Sequence, residues 1–96
     1  MPLSDVSNIT KAKANFNRYK GNDNAILRPS TRKGKKFDVV YNGRTTSFGD
    51  INLADYTKHK DDGKRKNYLA RSGGIKGDWK KNKYSANNLA RNVLWA

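Results

Sequence analysis

The chain has 96 residues, of which 34% are hydrophobic and 30% are charged, and its formal net charge is +13. This length limits it to one domain with a modest core. All eight acids are Asp, and they are set against 21 Lys and Arg residues. Because an excess of one sign repels itself, the composition predicts an anionic partner such as nucleic acid, an acidic protein surface or anionic lipid.

Two absences narrow the function classes further. The chain has no cysteine, which excludes disulfides, thiolate zinc sites and cysteine nucleophiles. No apolar run is long enough to span a bilayer, and the start, "MPLSDVSNITKAKANF", lacks the apolar stretch of a signal peptide. We therefore expect no membrane span and a cytoplasm-like site of synthesis.

The first third of the chain predicts a basic amphipathic helix. Residues 1–7 are interpreted as a short leader, with Ser7 as the cap of a helix over Asn8 to Lys20 and Gly21 as its end. Apolar side chains recur on one side of this helix at Ile9, Ala12, Phe16 and Tyr19. We predict an N-terminal helix and arm over residues 1–35, followed by a small α+β domain over residues 36–96.

A β-hairpin is the clearest local prediction. In "KFDVVYNGRTTSFGD", Asn42-Gly43 is a strong signal for a two-residue type I′ turn. That turn pairs Phe37 with Phe48 and places Val39 and Tyr41 on the same face. The preceding "AILRP" is interpreted as a short edge strand that ends at Pro29.

The second half of the chain predicts short helices. Asp50 is expected to cap a turn, and Asp61 or Asp62 to cap a helix that runs to about Arg71 and ends at Gly73-Gly74. A glycine-punctuated loop then carries Trp79, and Ser85 opens a last helix with a full apolar stripe. The predicted fold is a small single α+β domain in which two or three short helices pack on a hairpin at about residues 36–49.

The residues that could support catalysis are few. His59 is the sole histidine, and Asp55, Asp61 and Asp62 are near it in sequence. One histidine without cysteine or glutamate does not build an ordinary transition-metal site. "GRTTSFGD" and "SGGIKG" lack the pattern of a phosphate-binding loop. We expect no enzyme and no cofactor, and a metal-dependent nuclease is the least favoured alternative.

Three basic clusters favour polyanion binding. Clusters of Lys and Arg supply sequence-independent affinity for nucleic acid through counterion release. The last cluster also flanks Trp79 and Tyr84, an interleaving typical of single-strand binders. The alternative for each cluster is a solvated face without a ligand. The predicted polyanion-binding residues are Arg32, Lys33, Lys35 and Lys36, then Lys58, Lys60, Lys64, Arg65 and Lys66, and then Lys76, Lys80, Lys81 and Lys83.

From about Lys36 to Trp95 the chain resembles a family of short uncharacterised proteins encoded by large DNA viruses of algae and protists and by some other viruses and phages. The similar features are the Phe-Gly pair of "SFGD", the "DYTKHKD" box, the basic helix that ends in "YLAR", and the terminal "NVLW". Where that family tends to carry a second histidine after Ala-Arg, this chain has Ser72. The resemblance implies a viral origin and carries no agreed activity.

On this basis the sequence predicts a small basic structural protein of a virus particle, either a minor capsid, cement or internal component. The expected partners are capsid protein or other virion proteins, with DNA or RNA as a further candidate. The expected location is the virion, or the host cytoplasm or nucleus before assembly. The predicted docking residues are Phe16, Tyr19, Trp79 and Trp95. The predicted structural residues of the box are Tyr56, His59 and Asp61. We expect Tyr56 to pack inward, His59 to hydrogen-bond across the loop and Asp61 to cap a helix. A non-specific nucleic-acid-binding protein is the alternative.

Overall fold

The computed structural model describes residues 3–96, so the first two residues of the predicted leader lie outside it. It has the predicted α+β fold, with a three-stranded antiparallel sheet and short helices. In chain order the elements are α1 (Leu3–Val6), α2 (Ile9–Lys20), β1 (Ile26–Pro29), β2 (Lys35–Tyr41), β3 (Arg44–Asp50), α3 (Tyr56–His59), α4 (Asp62–Gly73), a 3₁₀ helix (Asp78–Lys81), α5 (Ala86–Leu89) and a π-helical segment (Ala90–Leu94).

The sheet has the order β1-β2-β3, and the predicted hairpin register is confirmed. Phe37 pairs with Phe48, and their rings stack with centroids 6.1 Å apart. The turn has positive φ at both central residues, 52° at Asn42 and 74° at Gly43, as a type I′ turn requires. The predicted edge strand is confirmed as β1, which pairs antiparallel with β2.

The core lies between one face of the sheet and helices from both ends of the chain. Phe16 of α2 is 1% exposed, and Leu89 and Val93 of the terminal helical segments are fully buried. Asn15 of α2 donates a hydrogen bond from Nδ2 to the carbonyl oxygen of Val93, 2.8 Å away. The N-terminal helix therefore shares its core with the C-terminal segment, so the apolar stripe of each helix is covered.

Gly49 lets the terminal segment approach the sheet. Its φ is +83°, and a Cβ atom placed there would lie 2.9 Å from Cδ1 of Leu94 and 3.0 Å from Cβ of Lys36. Positive φ and close packing both require glycine at this position. The Phe-Gly pair of the "SFGD" motif therefore serves packing, with Phe48 buried beneath the same segment.

Four local predictions need correction. Asn8, not Ser7, caps α2, and its side chain accepts the N–H of Lys11 at 3.0 Å. Residues 3–6 of the predicted leader form α1, and the loop around Trp79 contains a 3₁₀ turn. Ser85 does cap the last helix, but that helix continues as a π-helical segment in which Trp95 N–H bonds to Ala90 O, 3.0 Å away.

The boundary predicted at residues 35 and 36 stays a prediction. Two sets of contacts cross it, because β1 pairs with β2 and α2 packs against the π-helical segment. In the part of the chain described here, no helix has the length and apolar character needed to cross a bilayer.

Candidate functional site

The "DYT" box is built around a buried carboxylate. Asp55 is 1% exposed and caps α3 by accepting the backbone N–H of Thr57 at 2.9 Å. It also accepts hydrogen bonds from the hydroxyls of Ser7 and Thr57. Lys36 completes the set with Nζ 2.8 Å from Oδ2, and its side chain is 2% exposed. We call Ser7, Lys36, Asp55 and Thr57 the buried polar cluster.

The buried polar cluster joins the start of the chain to its middle. The backbone N–H of Asp55 donates to the carbonyl oxygen of Val6 at 3.1 Å, and Lys36 Nζ donates to the same oxygen at 3.2 Å. The N–H of Asn8 donates to Thr57 Oγ1 at 3.0 Å. A serine, a lysine and an aspartate can form a catalytic set, but a substrate cannot reach these buried atoms. The geometry fits a structural role.

His59 and Asp61 form a local turn beside this cluster. The N–H of Asp61 donates to Nδ1 of His59 at 2.9 Å, as expected for a histidine that bonds across its loop. Asp61 caps α4 by accepting the N–H of Lys64 at 3.1 Å, and this bond holds the pKa of Asp61 below its ordinary value. Tyr56, predicted to pack inward, is partly exposed and donates to Asp62 at 2.7 Å.

The solvent-exposed charge is more strongly positive than the composition indicates. Two of the eight acids, Asp38 and Asp55, are buried, whereas Lys36 is the one buried cation of residues 3–96. Three ion pairs occur in this range. One is the buried pair of Lys36 and Asp55, and the others join Arg28 to Asp38 and Lys83 to Asp23. Most cationic side chains therefore face solvent without a carboxylate partner.

The predicted polyanion-binding residues divide into three groups by exposure. Lys36 is 3% exposed and neutralises Asp55, so its charge is not available to a ligand. Arg65 is partly buried and donates from Nε to the carbonyl oxygen of Trp95 at 3.0 Å. The remaining residues are exposed and we call them the cationic surface: Arg32, Lys33, Lys35, Lys58, Lys60, Lys64, Lys66, Lys76, Lys80, Lys81 and Lys83.

Aromatic rings alternate with cations around the last basic cluster. Lys80 Nζ lies 5.5 Å from the ring centroid of Trp79, and Lys83 Nζ lies 5.5 Å from the centroids of both Tyr19 and Tyr84. Tyr84 donates to Asp23 at 2.7 Å. Burial and that carboxylate raise the pKa of Tyr84 well above its ordinary value. The interleaving seen in the sequence is thus a set of cation–π contacts.

The four predicted docking residues are not equivalent. Phe16 is 1% exposed and belongs to the core, so it presents no surface to a partner. Tyr19, Trp79 and Trp95 are partly buried. Trp79 donates its indole N–H to the carbonyl oxygen of Ile75 at 2.7 Å, and Tyr19 donates to that of Lys83 at 2.7 Å. Only these three can contribute to a docking surface.

A groove lies between three parts of the fold, namely the C-terminal end of β3, helix α4 and the terminal helical segments. The sequence did not indicate it. Its volume is about 630 Å³. Tyr68 and Trp95 line it with stacked rings, 4.4 Å between centroids and 9° between planes. His59 lines it too, with its ring centroid 5.2 Å from that of Trp95. Tyr68 and Trp95 are far apart in the sequence, so no local pattern predicts their contact.

Arg91 fixes the helix that forms one wall of this groove. Its Nη1 donates to the carbonyl oxygen of Leu69 at 2.6 Å and to Oγ of Ser72 at 2.7 Å, near the end of α4. A cation at a helix C-terminus is favourable because it satisfies free carbonyl groups and meets the negative end of the helix dipole.

Among residues 3–96, no three His, Cys, Asp or Glu side chains converge in a way that could hold a metal ion. No curated protein and no solved structure shows significant similarity to the chain. A family of unknown function, DUF5754, matches residues 25–72, which is half of the chain. That range holds the sheet, the "DYT" box and α4 up to Ser72, and it starts earlier and ends sooner than the range of the viral resemblance.

The description of this family assigns no activity and no viral source, so the viral origin stays a prediction. The matched segment contains Lys36, Asp55 and Thr57 of the buried polar cluster together with Gly49. The chain belongs to the family of unknown function DUF5754.

Proposed function

We propose that this protein is a small basic structural component of a virus particle, a minor capsid, cement or internal protein. Its cationic surface would contact acidic capsid protein or the packaged genome. One observation carries the proposal: most of the 21 cations are exposed and have no carboxylate partner, while two of the eight acids are buried. A surface of one sign is satisfied by a partner of the opposite sign.

The interior supports a binding role rather than chemistry. The residues that could have formed a reactive set, Ser7, Lys36 and Asp55, are each at most 3% exposed and bond to one another or to backbone. His59 is held by the N–H of Asp61. The viral part of the proposal rests on the sequence resemblance from about residue 36 to residue 95.

The second candidate is a non-specific nucleic-acid-binding protein that acts in the infected cell. The partly exposed ring of Trp79 with Lys80 beside it favours this candidate, because single-strand binders combine a cationic groove with aromatic side chains. Both candidates use the cationic surface and differ in the partner.

Quantitative mass spectrometry of purified particles separates the two candidates. Particles of the encoding virus are disrupted gently and divided into shell and nucleoprotein fractions. A fixed ratio to the major capsid protein in the shell supports a cement or minor capsid role. Recovery with the genome supports an internal protein. Absence from particles contradicts the virion proposal and leaves the nucleic-acid-binding candidate.

A further inference from the structure

The groove beside Trp95 combines an apolar floor with a cationic rim. Phe48, Leu94 and Ala90 lie along it, and Leu53 at its edge is 62% exposed. Its volume of about 630 Å³ is within the usual range for ligand sites. Lys35, Lys64 and Arg71 stand around it as exposed cations, and one exposed carboxylate, Asp50, lies among them. An occupant that matches this groove has an apolar side chain flanked by negative charge.

His59 leaves one polar atom of the groove wall without a partner. Nδ1 accepts the N–H of Asp61 at 2.9 Å, so in the neutral imidazole the proton is on Nε2. That Nε2 is buried and is the one buried side-chain polar atom of residues 3–96 without a hydrogen-bond partner. A buried donor without an acceptor is costly, but because Nε2 is closed to solvent, the carboxylates of a ligand would meet the cationic rim and not His59.

The aromatic residues of the groove disfavour a nucleobase as the occupant. Base binding by stacking needs an open aromatic face. Tyr68 and Trp95 already stack on each other at 4.4 Å, and the ring of His59 lies 5.2 Å from that of Trp95. The guanidinium carbon of Arg71 lies 5.9 Å from the Tyr68 centroid. These contacts leave less open aromatic face on which a base could stack.

We propose that this groove binds an acidic peptide segment of a partner protein, with a large apolar side chain seated on the floor beside Leu94 and its carboxylates at the cationic rim. The neighbouring acids of the segment would meet Lys35, Lys64 and Arg71. The inference deepens the proposed function, since it names the chemistry by which this chain contacts another protein of the particle.

Two fluorescein-labelled peptides test the inference by anisotropy at about 150 mM salt, where exposed charge alone is screened. The probe is Asp-Asp-Leu-Phe-Asp-Asp, and the control is Asp-Asp-Ser-Ser-Asp-Asp, which has the same charge. We expect the probe to bind at least about tenfold more tightly, because seating one apolar side chain is worth that much. Equal binding of the two peptides, or no binding of the probe, overturns the inference.

Matched variants locate the site. Leu53→Ser removes an exposed apolar side chain that lines the groove. Ile75→Ser is the control, because the Ile75 side chain is also exposed, at 51%, but does not line the groove. We expect Leu53→Ser to weaken probe binding at least about fivefold, and Ile75→Ser to change it less than about twofold. Equal effects of the two variants overturn the assignment.

Nuclear magnetic resonance separates this inference from the proposed function. The chain has two indole N–H signals, and Trp95 lines the groove while Trp79 does not. We expect the probe peptide to shift the signal of Trp95 and leave that of Trp79 in place. A single-stranded oligonucleotide that shifts Trp95 where the peptide does not would make the groove a nucleic-acid site and overturn the peptide assignment. Salt-dependent DNA binding elsewhere would still support the cationic surface.

Discussion

Lys36 and Asp55 form an ion pair of 2.8 Å in the interior, between two side chains that are each at most 2% exposed. Burying two charges is expensive, and the attraction between them offsets that cost only when further hydrogen bonds are present. Here the carbonyl oxygen of Val6 and the hydroxyls of Ser7 and Thr57 supply those bonds. The pair therefore links the N-terminal segment, β2 and α3.

Removing one partner of this pair is expected to destabilise the folded protein strongly. Lys36→Met keeps a similar volume and leaves Asp55 buried without its cation, which costs about 3–5 kcal/mol of unfolding free energy. The neighbouring Lys35→Met, at an exposed position, is expected to change stability by less than about 0.5 kcal/mol. Urea unfolding followed by circular dichroism measures both. Similar midpoints for the two variants would show that the buried pair is not important for stability.

We expect Gly49 to be required for stability for two reasons, its positive φ and its close packing. A matched pair of variants separates the two. Gly49 and Gly34 have nearly the same φ, +83° and +85°, but a Cβ meets Leu94 and Lys36 at Gly49 and open space at Gly34. Gly34→Ala is expected to cost about 1–2 kcal/mol from backbone strain alone. Gly49→Ala is expected to cost about 1–3 kcal/mol more from overpacking. Thermal melting of the two variants gives the comparison, and equal losses would contradict the steric argument.

Asp38 makes part of the stability dependent on pH. Burial alone raises the pKa of Asp38, but the hydroxyls of Ser30 and Ser47, each 2.6 Å from Oδ1, outweigh it and leave the pKa below its ordinary value. A carboxyl with a lowered pKa stabilises the folded state above its unfolded pKa, and that stability is lost as the pH falls through the folded pKa.

Ser47→Ala tests this pH dependence. It removes one donor to the ionised carboxylate, so we expect it to destabilise the protein at pH 6 and to differ less from the parent chain as the pH falls below about 4. Thr45→Ala, on the same face of β3, serves as the control and is expected to show a constant difference. Urea unfolding at several pH values measures the trend. If the loss of unfolding free energy in Ser47→Ala stays constant down to pH 2, the proposed role of the Asp38 carboxylate is contradicted.

We expect the cationic surface to bind DNA through phosphate contacts, whose number can be measured from the salt dependence of binding. Lys58 and Lys66 are exposed members of it, whereas Lys11 and Lys13 are exposed on α2 outside the three clusters. Each phosphate-contacting lysine that is removed reduces the salt slope of DNA binding by about 1. Lys58→Gln with Lys66→Gln is expected to reduce the slope by about 2, and Lys11→Gln with Lys13→Gln by less than about 1. Equal reductions would indicate that only net charge matters.

The parts of the fold that depend on local chemistry could be predicted from the sequence. Asn42-Gly43 determines the hairpin turn because both residues adopt positive φ, and alternation then determines which side chains face the core. Asp61, Ser85 and Gly21 act at helix ends as their residue types indicate. These signals lie within a few residues of the structure that they determine.

The buried polar cluster could not be predicted in this way. Ser7 and Asp55 are 48 positions apart, so a serine that suits a helix cap is used instead as a donor to a distant carboxylate. Lys36 is one lysine of a basic run, and its burial depends on the packing of β2 against the N-terminal segment. The groove could not be predicted either, because its walls come from β3, α4 and the terminal segments, which only the tertiary fold brings together.

The most direct test of the central claim is the salt dependence of binding to a short DNA duplex of arbitrary sequence. If the cationic surface is a polyanion-binding surface, the logarithm of the binding constant falls linearly with the logarithm of salt concentration. Five to nine phosphate contacts correspond to a slope of about −4 to −8. The account predicts a slope in that range that is independent of sequence. Binding that barely changes with salt, or no binding at low salt, would contradict it.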